Sequence, residues 1–152
     1  MKILAYTLIA ATLLAFSSTA FTQAGTPSDK GASPRNTTAT IEPVLDTSNI
    51  SYATAWRIAL ARQAESNGEI VFRMILKDNP GNATKITIAI AKGTTKTDLA
   101  KIIESALKTN APTGIKIERN AKEEISVSAT AGASIMLDTN TVADLGISLL
   151  KE

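Results

Sequence analysis

Residues 84–107, TKITIAIAKGTTKTDLAKIIESAL, change the spacing of their apolar side chains halfway along the segment. In the first half Ile86, Ile88 and Ile90 alternate with polar or small residues, which is typical of a strand buried on one face. After Gly93 the apolar residues recur at every third or fourth position, which is typical of an amphipathic helix. The segment therefore predicts a strand followed by a helix, both contributing an apolar face to one core.

The predicted helix carries its own start and stop signals. Thr95 can cap its N-terminus, and Asp98 follows three residues later near the positive end of the helix dipole. The sequence NAP at residues 110–112 predicts the end, because proline cannot continue a helix. Glu104 and Lys108 have the i,i+4 spacing of an exposed ion pair, so the outer charges indicate a solvated face rather than a site. The predicted apolar stripe consists of Leu99, Ile102, Ile103, Ala106 and Leu107.

Two strands are predicted before this unit. Residues 53–62 are ambiguous, because Trp56, Ile58 and Leu60 alternate as in a strand while Ala, Arg, Gln and Glu favour a helix. Ile58 favours the strand, since on a helix it would lie about 200° around the axis from Trp56 and off the apolar face. The stretch GEIVFRMIL at residues 68–76 predicts the next strand. Its inward residues are expected to be Ile70, Phe72, Met74 and Leu76.

A hairpin and further short elements are predicted after the helix. Ile115 and Ile117 alternate before the polar turn RNAKEE, and Ile125 and Val127 alternate after it. Three segments follow: a strand at AGASIMLD, a polar-capped turn of helix at NTVADLG, and a final apolar segment at ISLL. The order β-β-β-α-β-β-β predicts an α+β fold, an antiparallel sheet with one main packed helix.

The N-terminal residues 1–24 have the features of a Sec-type signal peptide. A basic Lys2 precedes an apolar stretch of 14 residues and then small residues. The apolar stretch is shorter than the roughly 20 residues of a membrane span. We therefore expect cleavage after Ala20 or Ala24, a secreted or periplasmic protein, and no membrane span after signal cleavage.

Residues 25–45 predict a flexible linker, because they are rich in Pro, Gly, Ser and Thr and nearly lack apolar residues before Ile41. Residues 46–152 are then the α+β domain. The chain has no Cys, so an exported domain of this kind must be stabilised by packing and hydrogen bonds rather than by disulfides.

Composition restricts the chemistry. The chain has 16 Lys and Arg against 14 Asp and Glu, and only 4% aromatic residues. Neither a phosphate-tracking basic surface nor a set of stacking aromatics is indicated, so no nucleic acid partner is expected. His and Cys are both absent from the chain, which excludes zinc chemistry and Ser-His-Asp or Cys-His catalysis. No metal, cofactor or catalytic residue is predicted.

Two groups of residues could bind a ligand. Trp56 with Tyr52 nearby could form an aromatic platform for a glycan, although packing of the Trp in the core is the favoured interpretation. Asp78, Asn79 and Asn82 in KDNPGNA offer oxygen ligands for calcium. They lack the twelve-residue loop and closing Glu of a calcium loop, so a plain turn is favoured.

Candidates for catalysis are weaker. Glu123 and Glu124 are neighbours in a turn and face different sides, and a pair of Asp29 with Glu42 would lie in the predicted linker. Every Lys is expected on a polar face, whereas Ser-Lys catalysis needs a desolvated Lys beside a Ser. The chain is therefore predicted not to be an enzyme.

Three segments follow one another after residue 84: ITIAIAKGTTKTDLAKIIESAL, GIKIERNAKEEISVSATAGASIML and VADLGIS. Together they resemble the flagellin hook IN motif of bacterial flagellar filament-cap and other hook-associated proteins. The preceding WRIALARQAES is similar to the strand before this unit in filament-cap proteins. The resemblance spans about 100 residues. The resemblance implies a surface domain that decorates or packs within extracellular assemblies and has no chemistry of its own.

These observations together predict a non-enzymatic structural or interaction domain at the cell surface, in the periplasm or secreted, which binds a protein partner or itself. The alternative is an envelope- or glycan-binding module, for which the aromatic pair is the support. A small hydrolase is the least favoured interpretation.

Overall fold

The structure is a computed structural model and describes residues 37–152. The predicted signal peptide, with its cleavage after Ala20 or Ala24, and the first part of the predicted linker lie outside the described residues. The elements in chain order are β1 (Thr37–Pro43), β2 (Ala53–Leu60), β3 (Gly68–Leu76), β4 (Asn82–Ile90), α1 (Lys96–Asn110), β5 (Ile115–Arg119), β6 (Ile125–Asn140) and β7 (Ile147–Lys151).

All strands belong to one antiparallel sheet of seven strands in the order β1-β4-β3-β6-β2-β7, with β5 paired to β6 beside this path. The long strand β6 has several partners along its length. Residues 125–129 pair with β5, and residues 133–140 pair with β3, while β2 also pairs with the first half. The predicted α+β fold with a single main helix on an antiparallel sheet is confirmed.

The helix begins and ends as its sequence predicts. Thr95 is the N-cap, and its side-chain oxygen accepts a hydrogen bond from the backbone N–H of Asp98 at 3.2 Å. Ala111 ends the helix, its N–H bonding to the carbonyl of Leu107 at 2.8 Å before Pro112 stops the chain from continuing. All five residues of the predicted stripe are buried. The helix is therefore held to the sheet by its apolar face.

The core lies between this helix and one face of the sheet. Residues 53–60 form a strand, so the sequence's ambiguity at Trp56 and Ile58 is resolved as predicted. Ile70, Phe72 and Met74 of β3 are fully buried, whereas Leu76, also expected to face inward, is only half-buried. The opposite face of the sheet is not wholly polar, since it buries Val71, Ile75, Ala83 and Ser134.

Two predictions about the C-terminal third are wrong. The alternating residues 125–129 and the segment AGASIMLD were expected as separate strands, but they form the single strand β6, which is bent rather than ended at Gly132. Gly132 has φ +89°, and the β2 register shifts near the same point, as in a bulge. The expected turn of helix at NTVADLG is a non-helical turn, because Asp144 and Gly146 both have positive φ.

The prediction of a linker over residues 25–45 is wrong for residues 37–43, which form β1. The strand pairs with β4 along its whole length. Thr and Ile favour extended backbone, and a strand exposed on both faces needs no apolar alternation. The absence of a pattern therefore concealed an edge strand rather than a linker.

Candidate interaction edge

The strand β1 is one end of the sheet. It pairs with β4 on its inner side, and within residues 37–152 no strand pairs with its outer side. Most of its side chains are exposed on both faces, including Ile41 at 76%. An edge of this kind presents backbone donors and acceptors to any extended chain that approaches it.

A hydrogen bond just beyond the end of β1 shows which of its residues direct their backbone groups toward β4 and which direct them outward. The N–H of Val44 donates to the carbonyl of Gly81, which directly precedes β4, at 2.9 Å. The register between β1 and β4 runs without a shift from Thr37 to Pro43. In an antiparallel pair, alternate residues direct both backbone groups to the same side. Residues 38, 40 and 42 therefore bond to β4, and residues 37, 39, 41 and 43 face outward.

Pro43 lies on the outward-facing set. Its missing N–H therefore removes no bond from the ladder with β4, which is the position in which a strand tolerates proline. Three N–H groups, those of Thr37, Ala39 and Ile41, remain as outward donors. The carbonyls of the same residues and of Pro43 are outward acceptors.

The other edges are better protected than β1. The strand β7 is five residues long and carries Lys151, and β5 carries Lys116, Glu118 and Arg119. Short length and charged side chains are the means by which proteins block strand addition. Residues 37–41 of β1 read TTATI, without a charge, and its register contains no bulge. Among the edges within the described chain, β1 is the one most open to another strand.

A groove adjoins β1 on the face that carries the helix. It has a volume of about 530 Å³ and lies between β1, the β3–β4 turn and the C-terminal end of α1. Ala39, Ile41 and the half-buried Leu76 line its apolar part, and residues 109–113 form the opposite wall. Asn79 adds a polar rim, although its side-chain oxygen already accepts a hydrogen bond from the Asn82 amide at 3.1 Å. The groove can take a side chain carried by a strand added at β1.

An ion-pair network lies on the other face of the same edge. The Glu42 carboxylate of β1 is 3.4 Å from the Lys85 ammonium and 3.7 Å from the Arg73 guanidinium. Arg73 also pairs with Asp138 of β6 at 2.7 Å. The single charged side chain of β1 is therefore neutralised by its own sheet and is directed away from the groove. An incoming strand meets little net charge at this edge.

The aromatic pair does not form a platform. Trp56 is 9% exposed, and its indole N–H donates to the Ala133 carbonyl at 2.8 Å. This confirms the favoured interpretation that the Trp packs in the core. Tyr52 is half-buried, and its hydroxyl is shielded from solvent without a hydrogen-bond partner among the described residues. Neither ring offers a flat exposed face to a sugar.

The carboxylates considered for catalysis serve local structure. Glu123 pairs with Arg119, and Glu124 accepts a hydrogen bond from the Asn120 amide at 2.8 Å. Glu42 belongs to the network on β1, and Asp29 lies outside the described residues. The structure therefore brings none of these carboxylates together as a catalytic pair within residues 37–152.

Glu104 joins the helix to the hairpin. Its carboxylate accepts hydrogen bonds from Lys108 at 2.7 Å and from Arg119 at 2.8 Å. The bond from Lys108, and then that from Arg119, hold the pKa of Glu104 below its ordinary value. The same carboxylate, with Glu123, raises the pKa of Arg119. The predicted pair of Glu104 and Lys108 is confirmed, but it is part of a bridge between two elements.

The calcium candidates form a turn. Asn79 and Asn82 bond to each other, and Asp78 lies in the same turn between β3 and β4. Residues 37–152 contain no cluster of three or more Asp, Glu, His or Cys side chains that could hold a metal ion. In the same part of the chain, no helix is both long and apolar enough to cross a membrane.

The feature that sequence reasoning missed is the β1 edge itself. The sequence did contain one indication of a strand, since TTATIE is rich in β-branched residues and is followed by Pro43. No side-chain motif marks the groove, because it forms from three segments, residues 39–41, 76–84 and 109–113, that are far apart along the chain.

No protein-family model matches the chain, and no curated protein gives a significant match. The resemblance to the flagellin hook IN motif therefore stays a prediction.

Proposed function

We propose that this chain is a secreted or periplasmic, non-enzymatic interaction domain that acts by adding a strand of a partner to the outer edge of β1. The single observation that carries the proposal is the open outer edge of β1. It is seven residues long and offers three outward N–H groups, with Ile41 exposed beside a groove. Main-chain hydrogen bonds supply affinity in strand addition, and pockets for alternate side chains supply specificity.

The location outside the cytoplasm is supported by the signal-peptide features of residues 1–24. A role in an extracellular assembly is supported by the resemblance to flagellar hook-associated proteins. The buried Trp56 leaves the alternative of a glycan-binding module without its aromatic platform. We therefore retain one candidate function.

The proposal is tested by photo-cross-linking in the native cells. Ile41 is replaced by a photoreactive phenylalanine analogue in the exported full chain, and cross-links are analysed by mass spectrometry. Lys101, exposed on the helix, receives the same analogue as the matched control. We expect one specific adduct from position 41 and none from position 101.

The identity of the adduct does not decide this test, because either a second copy or another protein would support association at this edge. Equal labelling at both positions, or no adduct at position 41, contradicts the proposal. Turnover of a glycan or peptide by the purified chain in a broad substrate screen contradicts the non-enzymatic assignment.

A further inference from the structure

We propose that the occupant of the β1 edge is a second copy of this chain, paired antiparallel, β1 against β1, about a two-fold axis beside Thr40. This inference rests on the proposed function and identifies its partner. The inference is drawn from the set of residues whose backbone groups point outward, from the position of Pro43 and from the charges on the edge.

The outward residues of β1 fit their own copy. In the register centred on Thr40, Ala39 of each copy faces Ile41 of the other, and Thr37 faces Pro43. These residues all direct their backbone groups outward, as hydrogen-bonded antiparallel pairs require. This register overlaps the strand over its whole length from Thr37 to Pro43 and yields about six hydrogen bonds between the copies.

The position of Pro43 and the length of strand that is paired favour this register over its two neighbours. With the axis beside Thr40, the missing N–H of Pro43 falls at the two ends of the paired region, opposite Thr37. A shift that centres the pairing on Ile41 would place Pro43 opposite Ala39 and lose bonds nearer the middle. A shift that centres it on Ala39 would also give about six bonds, but it would pair only residues 37–41 and would place Ile41 opposite Thr37 instead of the small Ala39.

The side chains of the two copies are complementary in size. Antiparallel pairing keeps the helix-side face of one copy continuous with that of the other, so the Ile41 of each copy lies beside the small Ala39 of its partner. Ala39 lines the groove, and Ile41 is 76% exposed in the single chain. Pairing therefore covers the exposed Ile41 of both copies with one symmetric contact.

Charge does not oppose the pairing. Glu42, the one charged residue of β1, faces Thr38 of the other copy in this register, so no two carboxylates are opposite each other. Its own sheet already holds it through Lys85 and Arg73. At the centre, Thr40 faces Thr40, a favourable cross-strand pair.

The contact is small, which sets the expected affinity. A single edge of seven residues buries less than a standard interface, so we expect a dissociation constant of about 10 µM to 1 mM. Such a contact forms where copies are concentrated, as in an assembly or at a surface, and dissociates on dilution.

Charge-swap variants test the inference on the purified, exported full chain. Ile41→Lys places two like charges diagonally across the axis, and Ile41→Glu does the same with opposite sign. By sedimentation equilibrium over a concentration series, we expect each variant alone to dimerise at least about tenfold more weakly than the wild type. An equimolar mixture of the two variants should recover the dimer.

Two controls locate the interface. Leu150→Lys changes an exposed apolar residue on the other terminal strand, β7, and should leave the dissociation constant unchanged. Ala39→Pro removes an outward donor while keeping the ladder with β4, so it should weaken the dimer without a large change in thermal midpoint. Amide exchange by NMR should show protection of residues 39 and 41, but no change at residue 40, as concentration rises.

The outcomes separate this inference from the proposed function. A purified chain that stays monomeric to millimolar concentration overturns the inference, as does a charge-swap mixture that fails to associate. If the cross-link from position 41 then captures another protein, the proposed function survives with a different partner. If position 41 captures nothing in cells, both are wrong.

Discussion

Replacing Ile103 by Ala tests the packing of the helix on the sheet. Ile103 is fully buried in the middle of the apolar face of α1. The change removes three buried carbon atoms, and at about 0.8 kcal/mol each their transfer accounts for about 2.4 kcal/mol. Where the surroundings do not collapse, the remaining cavity adds up to about 2 kcal/mol. We expect the free energy of unfolding to fall by about 2 to 4.5 kcal/mol.

Lys101→Ala is the matched control on the same helix. Its side chain is 56% exposed and lies 3.6 Å from the Asp98 carboxylate, an ion pair that solvent screens. Removing it should cost less than about 0.5 kcal/mol. The two variants thus differ in burial but not in element or in the residue introduced.

Urea denaturation measures both changes, and the single Trp56 provides the signal. Its indole is buried in the folded state, so unfolding exposes it and shifts its fluorescence to longer wavelength. The slope of the unfolding free energy with urea should stay constant across the three proteins. Similar losses for Ile103→Ala and Lys101→Ala would show that α1 does not pack through the face described above.

Three further predictions concern single positions. Trp56→Phe removes the indole donor to a buried carbonyl and should cost about 1 to 3 kcal/mol in urea denaturation followed by circular dichroism, since this variant contains no Trp. Gly68→Ala should cost about 1 to 3 kcal/mol, because its Cβ would lie 2.9 Å from backbone atoms of the turn after β6; Gly81→Ala, with open space, should cost little. Glu104→Gln should cost about 0.5 kcal/mol at neutral pH. Because the pKa of Glu104 is lowered in the folded state, its stabilisation is present above the unfolded-state pKa and is lost as the pH falls through the folded-state pKa. In urea denaturation, the difference in unfolding free energy between the wild type and Glu104→Gln should therefore disappear in acid. A difference that stays constant with pH would refute this prediction.

Side-chain periodicity was enough to predict the elements that bury one face. Ile86, Ile88 and Ile90 alternate along β4, and the stripe from Leu99 to Leu107 repeats as a helix does, because the same core selects both patterns. Thr95 and Pro112 fixed the helix ends through the chemistry of capping and of a missing N–H. These features are local, so a single segment contains the information.

The elements that were predicted wrongly depend on distant partners. The two segments joined in β6 appeared separate because Gly132 interrupts the alternation, yet pairing with β2 on one side and with β5 and β3 along the other keeps the strand continuous. At NTVADLG, the buried Val142 and Leu145 have helical spacing, but the positive φ of Asp144 and Gly146 gives a turn instead. Local spacing does not report such backbone conformations.

The candidate site was beyond prediction for a further physical reason, which Pro43 illustrates. In the sequence TIEP, nothing local decides whether the missing N–H points toward a neighbouring strand or away from it, because successive residues of a strand alternate between the two sides. The register with β4 makes that choice, and a shift of one residue would reverse it. The outward set of donors, on which the proposed strand addition at β1 depends, is therefore a property of backbone pairing. This set leaves no side-chain motif, which is why side-chain periodicity along the sequence does not reveal the edge.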